Sequence, residues 1–411
     1  MQLVFDTTVL AQACRSKRAR AGIHRYVHQL LPALSSQCGL TPLAYCRDPL
    51  LRQFTAEPAG DRPSHQLLLR ASRLLRATKP LWQVLQASPW ASQGQRRHLQ
   101  TELLAAGIEP AWAVYHSPYA AIPAEVRHAG FGGIVITLHD LLPVLQPGLF
   151  EAENVRLFKA MLADLRPEDH VICVSHSTRD DLLRLQSTPA ADHVHVVPLA
   201  ATSDLAPVTD PQVLEAMRRQ LGLEAKDRLI LSLGTLEPRK NLNLLLEAFE
   251  QLRERHPQQP FKLVIVGCQG WKIEALLQRL AGSAAAGAIH CPGFIDDRDL
   301  AALYSCADVF VYPSLYEGFG LPPLEAMQCG TAVIVSRSSS LPEVVGDGAW
   351  LVEPDDSDQL LARLEDLLQD EQQRQQLARR GRERAKAFSW AQTAQATEQV
   401  YRLALSGGRK P

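Results

Sequence analysis

The sequence predicts an α/β protein with two Rossmann-like domains, whose parallel sheets face a central cleft. The chain of 411 residues is long for a single hydrophobic core. Short apolar, β-branched runs alternate with longer helical patterns, which is typical of parallel sheets covered by helices on both faces. A stretch rich in Pro, Ser, Thr and Asp around 200–227 interrupts this alternation. We therefore predict a first domain at 1–200 and a second at 201–387.

Each half contains six predicted strands. In the first half they are the runs at 2–6, 40–46, 111–117, 133–140, 169–175 and 193–199. In the second half they are the runs at 227–234, 261–267, 288–293, 307–314, 331–336 and 349–354. Because ligands of such sheets bind outside the carboxyl ends of the strands, the predicted ligand site is the cleft between the halves.

Composition indicates a folded, cytoplasmic protein. Hydrophobic residues make up 46% of the chain and charged residues 21%, as in ordinary globular domains. The eight cysteines form no C-x-x-C pair, which favours buried free thiols in a reducing compartment over disulfides or zinc. The N-terminus carries Asp6 and no long apolar run, so we expect no signal peptide, and no stretch has the length of a membrane span.

A basic segment at 62–101 contains seven Lys and Arg residues and no Asp or Glu. Arg70, Arg73 and Arg76 recur at helical spacing beside a leucine stripe, as in a basic amphipathic helix. Such a helix could bind an anionic membrane or an acceptor, or it could pack against the protein with a solvated arginine face, and both readings stay open. Nucleic acid is not an expected partner, because the segment has no binding motif and the net charge is −1.

An anion site is predicted where the strand at 227–234 leads through a loop into a helix. Arg239 and Lys240 lie at the start of this helix, with Asn241 as a candidate N-cap. Free backbone N–H groups and the helix dipole favour an anion there, and Arg and Lys both bind phosphate. The alternative is a solvated basic pair, but the dipole disfavours cations at this end of a helix.

A second strand-loop-helix unit places two carboxylates at the same cleft. Glu317 is predicted in the loop and Glu325 in the first helical turn, because Pro322 and Pro323 suit the start of a helix and Gly330 its end. Carboxylates repel phosphate, so the two side chains are better suited to accept hydrogen bonds from the hydroxyls of a ribose and a sugar. The structural alternative is that Glu325 complements the helix dipole.

In the first half, His139 and Asp140 end a predicted strand, and His139 is equally compatible with a structural and a functional role. The D-x-D sequences at 296–299 and 355–358 precede helical runs and are interpreted as N-caps. No H-x-x-x-H or Cys/His cluster predicts a metal site, and we expect no cofactor. There is also no G-x-G-x-x-G after a strand, no Walker loop and no nucleophile elbow.

These motifs resemble a known family. "GTLEPRKNLNLLLEAF", "CPGFIDDRDLAALYSCADVFVYPSLYEGFGLPPLEAM" and "SSSLPEVVGDGAWLVEPDD" are similar to the retaining GT-B glycosyltransferases of family four, also called group one. Glu317 and Glu325 match that family's Glu-x7-Glu motif. The first half is similar at "RAGIHRYVHQLL", "TLHD" and "VSHSTRDDLL". The run at 388–405 resembles the family's closing helix, which crosses back to the first domain, while residues 50–110 resemble nothing in particular.

The resemblance implies roles for individual residues. The first domain would bind the acceptor and the second the nucleotide-sugar donor, with Arg239 and Lys240 on the diphosphate and Glu325 on the ribose. Glu317, with the backbone of residues 318–320, would hold the sugar, and His139 would meet its reacting face. The resemblance assigns donor binding to Gly22, Thr235, Arg239, Lys240, Phe294, Ile295, Glu317, Gly318, Phe319, Gly320, Leu321 and Glu325, and catalysis to Glu317, His139, Arg239 and Lys240. One departure is His24, which stands where the family has a glycine.

The implied activity is metal-independent transfer of a hexose with retention of configuration. The donor would be a nucleotide sugar, with GDP-mannose favoured by frequency in the family. The acceptor would be a growing surface polysaccharide or a lipid-linked glycan, and the enzyme would be cytoplasmic, with peripheral contact at the inner face of the cell membrane as an open question. Two alternatives are a nucleotide-sugar epimerase on the same fold and a non-catalytic nucleotide-sugar-binding subunit.

Overall fold

The computed structural model describes residues 1–10, 22–40, 42–46 and 89–407, with the side chains of helix residues 89–94 left out. The described residues form two six-stranded parallel sheets. All twelve predicted strands are confirmed, each with ends within a few residues of the expected ones. Arg70, Arg73 and Arg76, predicted to contact membrane or acceptor, lie outside the described residues.

The first sheet is built from the first half of the chain, in the order β2-β1-β3-β4-β5-β6. Its strands are β1 Gln2–Asp6, β2 Leu43–Tyr45, β3 Ala113–Ser117, β4 Gly133–Leu138, β5 His170–Cys173 and β6 Val194–Val196. Its helices are α1 Gly22–Cys38, α2 Pro89–Ala105, α3 Ala124–Ala129, α4 Leu142–Leu145, α5 Ala152–Ala163 and α6 His176–Leu185.

The second sheet follows in the order β12-β11-β10-β7-β8-β9. Its strands are β7 Arg228–Leu233, β8 Phe261–Val266, β9 Ile289–Gly293, β10 Val309–Tyr312, β11 Ala332–Ser336 and β12 Trp350–Val352. Its helices are α7 Pro211–Gln220, α8 Leu242–Arg255, α9 Glu274–Gly282, α10 Leu300–Ser305, α11 Leu321–Gln328, α12 Leu341–Val345, α13 Ser357–Gln369 and α14 Glu371–Ala385.

The strands are hydrophobic because helices cover both faces of each sheet. All four residues of β10 and all five of β11 are buried, and α11, α14 and α13 pack against these strands. A parallel sheet covered in this way needs apolar side chains at consecutive positions, which explains the near-continuous hydrophobic runs of the sequence. The hydrophobic core therefore lies on both faces of each sheet, between the strands and the covering helices.

The last helix, α15 Trp390–Gly407, packs against the first sheet although it follows the second in sequence. It contacts α1 and β4, and the indole Nε1 of Trp390 donates a hydrogen bond of 3.0 Å to the carbonyl of Ala201. A closing helix over 388–405 is thereby confirmed. The domain boundaries after residues 200 and 387 stay predictions.

Two expectations from composition can be compared with the described residues. The described cysteines are free thiols. Cys46, Cys173, Cys306 and Cys329 are buried as expected, whereas Cys38 and Cys268 are half-buried and Cys291 is exposed. No helix within the described ranges is long and apolar enough to cross a membrane.

Candidate active site

The carboxyl ends of the two sheets meet at a close backbone contact. The loop after β10 brings Gly318 against the residues that follow β4. A β-carbon added to Gly318 would lie 1.7 Å from the carbonyl oxygen of His139 and 3.0 Å from Cβ of Asp140. Only glycine fits this position, so Gly318 permits the backbones of the two halves to approach each other closely.

Further polar contacts join the two halves beside this point. The Glu343 carboxylate accepts hydrogen bonds of 3.0 and 2.9 Å from the backbone N–H groups of His176 and Ser177, the first residues of α6. A carboxylate at a helix N-terminus satisfies free donors and complements the dipole. The hydroxyl of Tyr316 donates to Asp181 of the same helix. The cleft is therefore closed around the loop at 316–320.

Arg239 and Lys240 occupy a single 3₁₀ turn, Pro238–Lys240, between β7 and α8. The predicted position before the helix is confirmed. Both cations, however, are already paired: Glu317 Oε2 accepts from Arg239 at 2.5 Å, and Glu317 Oε1 accepts from Lys240 Nζ at 2.7 Å. Arg239 Nε also donates to Glu237 at 2.9 Å. Two carboxylates thus balance two cations in a largely buried cluster.

Glu317 is an ionised carboxylate in this cluster. It is 8% exposed, and burial alone would raise its pKa, but Arg239 and Lys240 outweigh burial and lower the pKa to about 2. Ser314 donates a third hydrogen bond to Oε1. The side chain is therefore charged and fixed by three donors.

Lys240 is held on its other side by Tyr312. Its Nζ donates to the phenol oxygen and lies 4.6 Å from the centre of the ring. Burial and the neighbouring Arg239 lower the pKa of Lys240. Burial alone would lower the pKa of Arg239. The carboxylates of Glu317 and Glu237 outweigh burial, so the pKa of Arg239 is raised.

Asn241 is the N-cap residue of α8 by position only. Its backbone is left-handed, with φ of 53°, and its side chain makes no capping hydrogen bond. Instead Nδ2 donates to the carbonyl of Pro354 at 2.7 Å. The predicted side-chain cap is wrong, because the asparagine both adopts the turn conformation and ties the loop to the chain after β12.

Glu325 lies on α11, but one turn later than predicted. Pro322 and Pro323 do occupy the first turn and Gly330 follows the C-cap with φ of 81°, as expected. The helix begins at Leu321, however, so Glu325 is its fifth residue. The first turn contains no acidic residue, and complementing the dipole from there is not the role of Glu325.

Glu325 is fully buried and contacts a cation from the other half of the chain. Its oxygens accept from Arg25 Nη1 at 3.0 and 3.3 Å, and Oε2 also accepts from the hydroxyl of Tyr304 at 3.0 Å. Arg25 lies on α1 and also binds Asp297 at 2.7 Å. Burial raises the pKa of Glu325, and Arg25 and Tyr304 only partly oppose this effect.

The two D-x-D sequences differ. Asp356 caps α13 by accepting a hydrogen bond of 2.8 Å from the backbone N–H of Gln359, which confirms the N-cap interpretation for 355–358. In the other sequence, Asp296 and Asp299 stand at helix starts without any side-chain capping bond, so that interpretation is wrong. Asp297 pairs with Arg25 instead.

His139 lies at the end of β4, half-buried, where the sequence places it. Its Nε2 donates to the carbonyl of Pro118 at 2.8 Å, and its ring meets that of Tyr26 edge-to-face at 4.9 Å. Burial lowers the pKa of His139 to about 4, so the imidazole is neutral near pH 7. Its role in catalysis stays a prediction.

The loop at 317–320 is fixed by its carbonyl groups. Ser340 donates 2.8 Å hydrogen bonds to the carbonyls of Glu317 and Phe319, and Thr178 donates to that of Gly318. Within the described part of the chain, the amide N–H groups of residues 318, 319 and 320 donate no hydrogen bond. Three consecutive N–H groups are thus available to a ligand, next to Glu317.

The other predicted donor-binding residues are placed less specifically. Gly320 precedes α11 with φ of 109°, a conformation that favours glycine, and Leu321 is half-buried at the start of that helix. Phe294 is 40% exposed, while Ile295 is buried. Thr235 is half-buried in the loop after β7, and Gly22 is exposed at the start of α1.

Sequence reasoning missed several residues of these clusters. They are Arg25, Glu237, Tyr304, Tyr312, Ser314 and, as a site residue, Asp140. Glu237 and Asp140 stand beside predicted residues in the sequence, and that adjacency was the available signal. Tyr304 and Tyr312 belong to apolar helix and strand patterns and gave none. No group of three or more His, Cys, Asp or Glu in the described ranges could hold a metal ion.

Two parallel sheets whose carboxyl ends face each other form the GT-B fold of glycosyltransferases, and solved structures agree. Sucrose-phosphate synthase from Thermosynechococcus elongatus matches with a TM-score of 0.69 at 22% identity, covering 99% of this chain and 100% of that one. HepE from Anabaena, in complex with UDP and glucose, matches with a TM-score of 0.68 at 17% identity, covering 97% and 98%. These likenesses show the fold.

The family follows from the sequence comparisons. The model "Glycosyltransferase Family 4" matches residues 20–201, and "Glycosyl transferases group 1" matches residues 214–384. O-antigen chain mannosyltransferase B of Escherichia coli is 36% identical over 292 residues, which cover 71% of this chain and 74% of that protein. The chain belongs to the group 1, or family 4, glycosyltransferases, as its motifs predicted.

Proposed function

We propose that this glycosyltransferase transfers mannose from a nucleotide sugar, GDP-mannose by preference, to a growing surface polysaccharide or lipid-linked glycan. The single observation that carries the proposal is the buried cluster of Arg239, Lys240 and Glu317 beside the free N–H groups of residues 318–320. The relative that is an O-antigen mannosyltransferase supports the sugar and the type of acceptor. HepE, whose structure contains UDP and glucose, supports a nucleotide-sugar donor.

The cluster has the chemistry that a diphosphate leaving group requires. Of the three N–H donors of Lys240, Tyr312 and Glu317 use two, and Arg239 directs four of its five to Glu237, Tyr316 and Glu317. Among the described residues, each cation therefore keeps one N–H without a partner, which is available for a phosphate oxygen. As the bond to the anomeric carbon breaks, negative charge builds on the diphosphate, and fixed cations stabilise it.

The remaining parts of the site then have complementary tasks. Glu317 accepts hydrogen bonds from sugar hydroxyls, with the N–H groups of residues 318–320 beside it, and Glu325 accepts those of the ribose once Arg25 moves aside. The second domain, 201–387, holds the donor, and the first, 1–200, holds the acceptor. His139, neutral near pH 7, lies against the reacting face of the sugar.

A donor panel tests the activity. We expect release of nucleoside diphosphate from GDP-mannose in the presence of a mannose-containing acceptor, and slower release from UDP- and dTDP-sugars. Conversion of the donor without acceptor would favour an epimerase. Tight donor binding with no turnover of any acceptor would favour a non-catalytic binding subunit, and both results would contradict the proposal.

Two finer parts of the proposal need their own measurements. NMR of the product linkage should show the anomeric configuration of the donor, since the family resemblance implies retention. Activity should persist in EDTA, since Arg239 and Lys240 supply the positive charge that a metal would otherwise provide. Inversion, or loss of activity that Mg²⁺ restores, would contradict the respective part.

We also propose that the basic segment at 62–101 contacts anionic lipid at the inner face of the membrane. Binding to vesicles containing phosphatidylglycerol should weaken when Arg70, Arg73 and Arg76 are all changed to Gln, and high salt should weaken it further. Undiminished binding by this triple variant would show that another surface makes the contact.

A further inference from the structure

Ser340 is fully buried directly before α12, in the loop that follows β11. A serine at the N-cap of a helix usually accepts a hydrogen bond from a backbone N–H of the first turn. The hydroxyl of Ser340 makes no such bond. Its one proton is instead shared between the carbonyl oxygens of Glu317 and Phe319, each 2.8 Å away. Capping therefore does not account for this serine, whose contacts lie in the loop that contains Glu317.

The planarity of the peptide group converts these two contacts into an orientation of N–H groups. In a trans peptide, the C=O of one residue and the N–H of the next point in opposite directions. Because the carbonyls of Glu317 and Phe319 both point to the Ser340 hydroxyl, the N–H groups of Gly318 and Gly320 both point away from it. Both glycines are buried, and among the described residues their N–H groups have no acceptor. Buried N–H groups without an acceptor are rare in proteins, so this pair marks a ligand position.

The two serines before Ser340 hold the same loop. Ser339 accepts a hydrogen bond of 2.7 Å from the N–H of Glu317, and Ser338 donates one of 2.8 Å to the carbonyl of Ser314. Ser339 has a φ of 44°, a left-handed conformation that a residue other than glycine keeps only where its surroundings impose it. Three consecutive serine hydroxyls therefore bind the segment at 314–319.

We propose that Ser340 is a positioning residue, which directs the N–H groups of Gly318 and Gly320 towards hydroxyl oxygens of the transferred sugar. This inference rests on the proposed function, in which the loop at 317–320 holds the sugar while Arg239 and Lys240 hold the diphosphate. Because the two tasks belong to different groups, Ser340 should contribute to recognition of the sugar and not to recognition of the diphosphate.

Ser340→Ala separates the two tasks. The variant lacks the hydroxyl, but the Glu317 carboxylate keeps its three donors, Arg239, Lys240 and Ser314, so the cluster for the diphosphate stays in place. Calorimetry with GDP and with GDP-mannose, both without acceptor, measures each task. We expect the Kd of GDP to stay within about twofold and the Kd of GDP-mannose to rise by about 5- to 10-fold, as for the loss of one or two hydrogen bonds.

Ser336→Ala is the matched control. Ser336 ends β11, is as fully buried as Ser340, and its hydroxyl has no hydrogen-bond partner among the described residues. Removing that hydroxyl should therefore leave the Kd values of GDP and of GDP-mannose equal to those of wild type.

Selective isotope labelling observes one of the two N–H groups directly. The dipeptide Phe-Gly occurs only at 131–132 and 319–320, so carbonyl-labelled phenylalanine combined with nitrogen-labelled glycine selects the amides of Gly132 and Gly320. GDP-mannose should shift the Gly320 amide resonance more than GDP does, and Ser340→Ala should remove this difference. The N–H of Gly132 donates to the carbonyl of Pro110 in the first half, and its resonance should not change on addition of either nucleotide.

Three results would overturn the proposal, and they differ from one another. If Ser340→Ala binds GDP-mannose within about twofold of wild type, Ser340 does not position groups that recognise the sugar. Equal weakening of GDP and GDP-mannose binding would show that Ser340 has a merely structural role. A wild-type protein that binds neither GDP nor GDP-mannose would refute the proposed donor itself, and with it the role of Ser340.

Discussion

Glu317 and Glu325 stand eight positions apart on one loop and helix, yet their surroundings are opposite. Glu317 accepts from two cations of its own half and from Ser314, and its pKa is lowered to about 2. Glu325 is completely buried, accepts from one cation of the other half and from Tyr304, and its pKa is raised. The pKa values of two identical side chains on one short segment are therefore shifted in opposite directions.

Both carboxylates are desolvated, so the number of cations in contact with each one decides the direction of its pKa shift. Burial raises the pKa of each, and only the Arg239–Lys240 pair is sufficient to reverse it. Glu317 is thus held charged and fixed in position by Arg239, Lys240 and Ser314. Glu325 depends on Arg25, a contact between the two halves of the chain.

The largest expected effect is that of Lys240→Met, which leaves Glu317 with a single cation, as Glu325 has. Under the proposed function this removes one of the two charges that would stabilise the leaving diphosphate, so transfer should fall by about 100- to 1000-fold. The pKa of Glu317 should rise, because Lys240 no longer helps Arg239 and Ser314 to oppose the effect of burial. Initial rates and titration of the isotope-labelled carboxylate measure the two effects.

Lys226→Met is the matched control, since Lys226 is exposed and pairs with Glu224 on the surface. Its rate should equal that of wild type. A Lys240→Met enzyme that retains more than a tenth of the activity would show that Arg239 suffices, and the role given to the pair would be wrong.

Acid unfolding should separate the two carboxylates next. The folded-state pKa of Glu317 is depressed from 4.5 to about 2, so its contribution is present above 4.5 and is lost as pH falls toward 2. That contribution is worth about 3 kcal/mol of unfolding free energy. The raised pKa of Glu325 has the opposite sign, because its protonation favours the folded state and this gain is lost as pH rises.

Chemical denaturation at several pH values checks this. Glu317→Gln should flatten the loss of stability between pH 4.5 and 2. Glu325→Gln should instead remove a penalty that grows above pH 4.5. Equal slopes in the two variants would mean that the two environments do not differ in the way the contacts indicate.

Most of the fold could be predicted from sequence, because a parallel sheet covered on both faces needs apolar runs that the sequence displays directly. The Glu317 cluster was half predictable, since Arg239, Lys240 and Glu317 are polar residues in loops after buried strands. The pairing of Arg25 with Glu325 was not, because it joins residues 300 positions apart across two sheets. The roles of Asn241 and Asp297 were mispredicted for the same reason: their partners are distant in sequence.

The Arg25–Glu325 contact can be measured by a double-mutant cycle. Arg25→Gln removes the only cation that binds Glu325 in the described structure and should cost about 2–3 kcal/mol of unfolding free energy. The double variant with Glu325→Gln should recover about 1–2 kcal/mol of that loss, because no charge is left buried.

Asp297→Asn is the control for this cycle. The Asp297 carboxylate is 57% exposed, so this substitution should cost less than about 0.5 kcal/mol of unfolding free energy. An additive cycle, with coupling below about 0.5 kcal/mol, would show that Glu325 is already neutral in the folded protein. In that case the pKa values of Glu325 and Glu317 would differ by more than their contacts indicate.

The smallest change in unfolding free energy should come from removing the hydroxyl of Tyr304 or of Tyr312. These variants test the difference between Glu325 and Glu317 at the level of single hydrogen bonds. Tyr304→Phe removes one of two donors from a fully buried carboxylate, and we expect a loss of about 1–2 kcal/mol. Tyr312→Phe removes an acceptor of Lys240 and a hydrogen bond with Glu317, but Lys240 keeps Glu317 and the ring face, and Glu317 keeps Arg239, Lys240 and Ser314. About 0.5 kcal/mol is therefore expected. Both losses are measurable by denaturant unfolding at pH 7. A greater loss of unfolding free energy for Tyr312→Phe would mean that Lys240, and not Glu325, depends more on its tyrosine hydrogen bond.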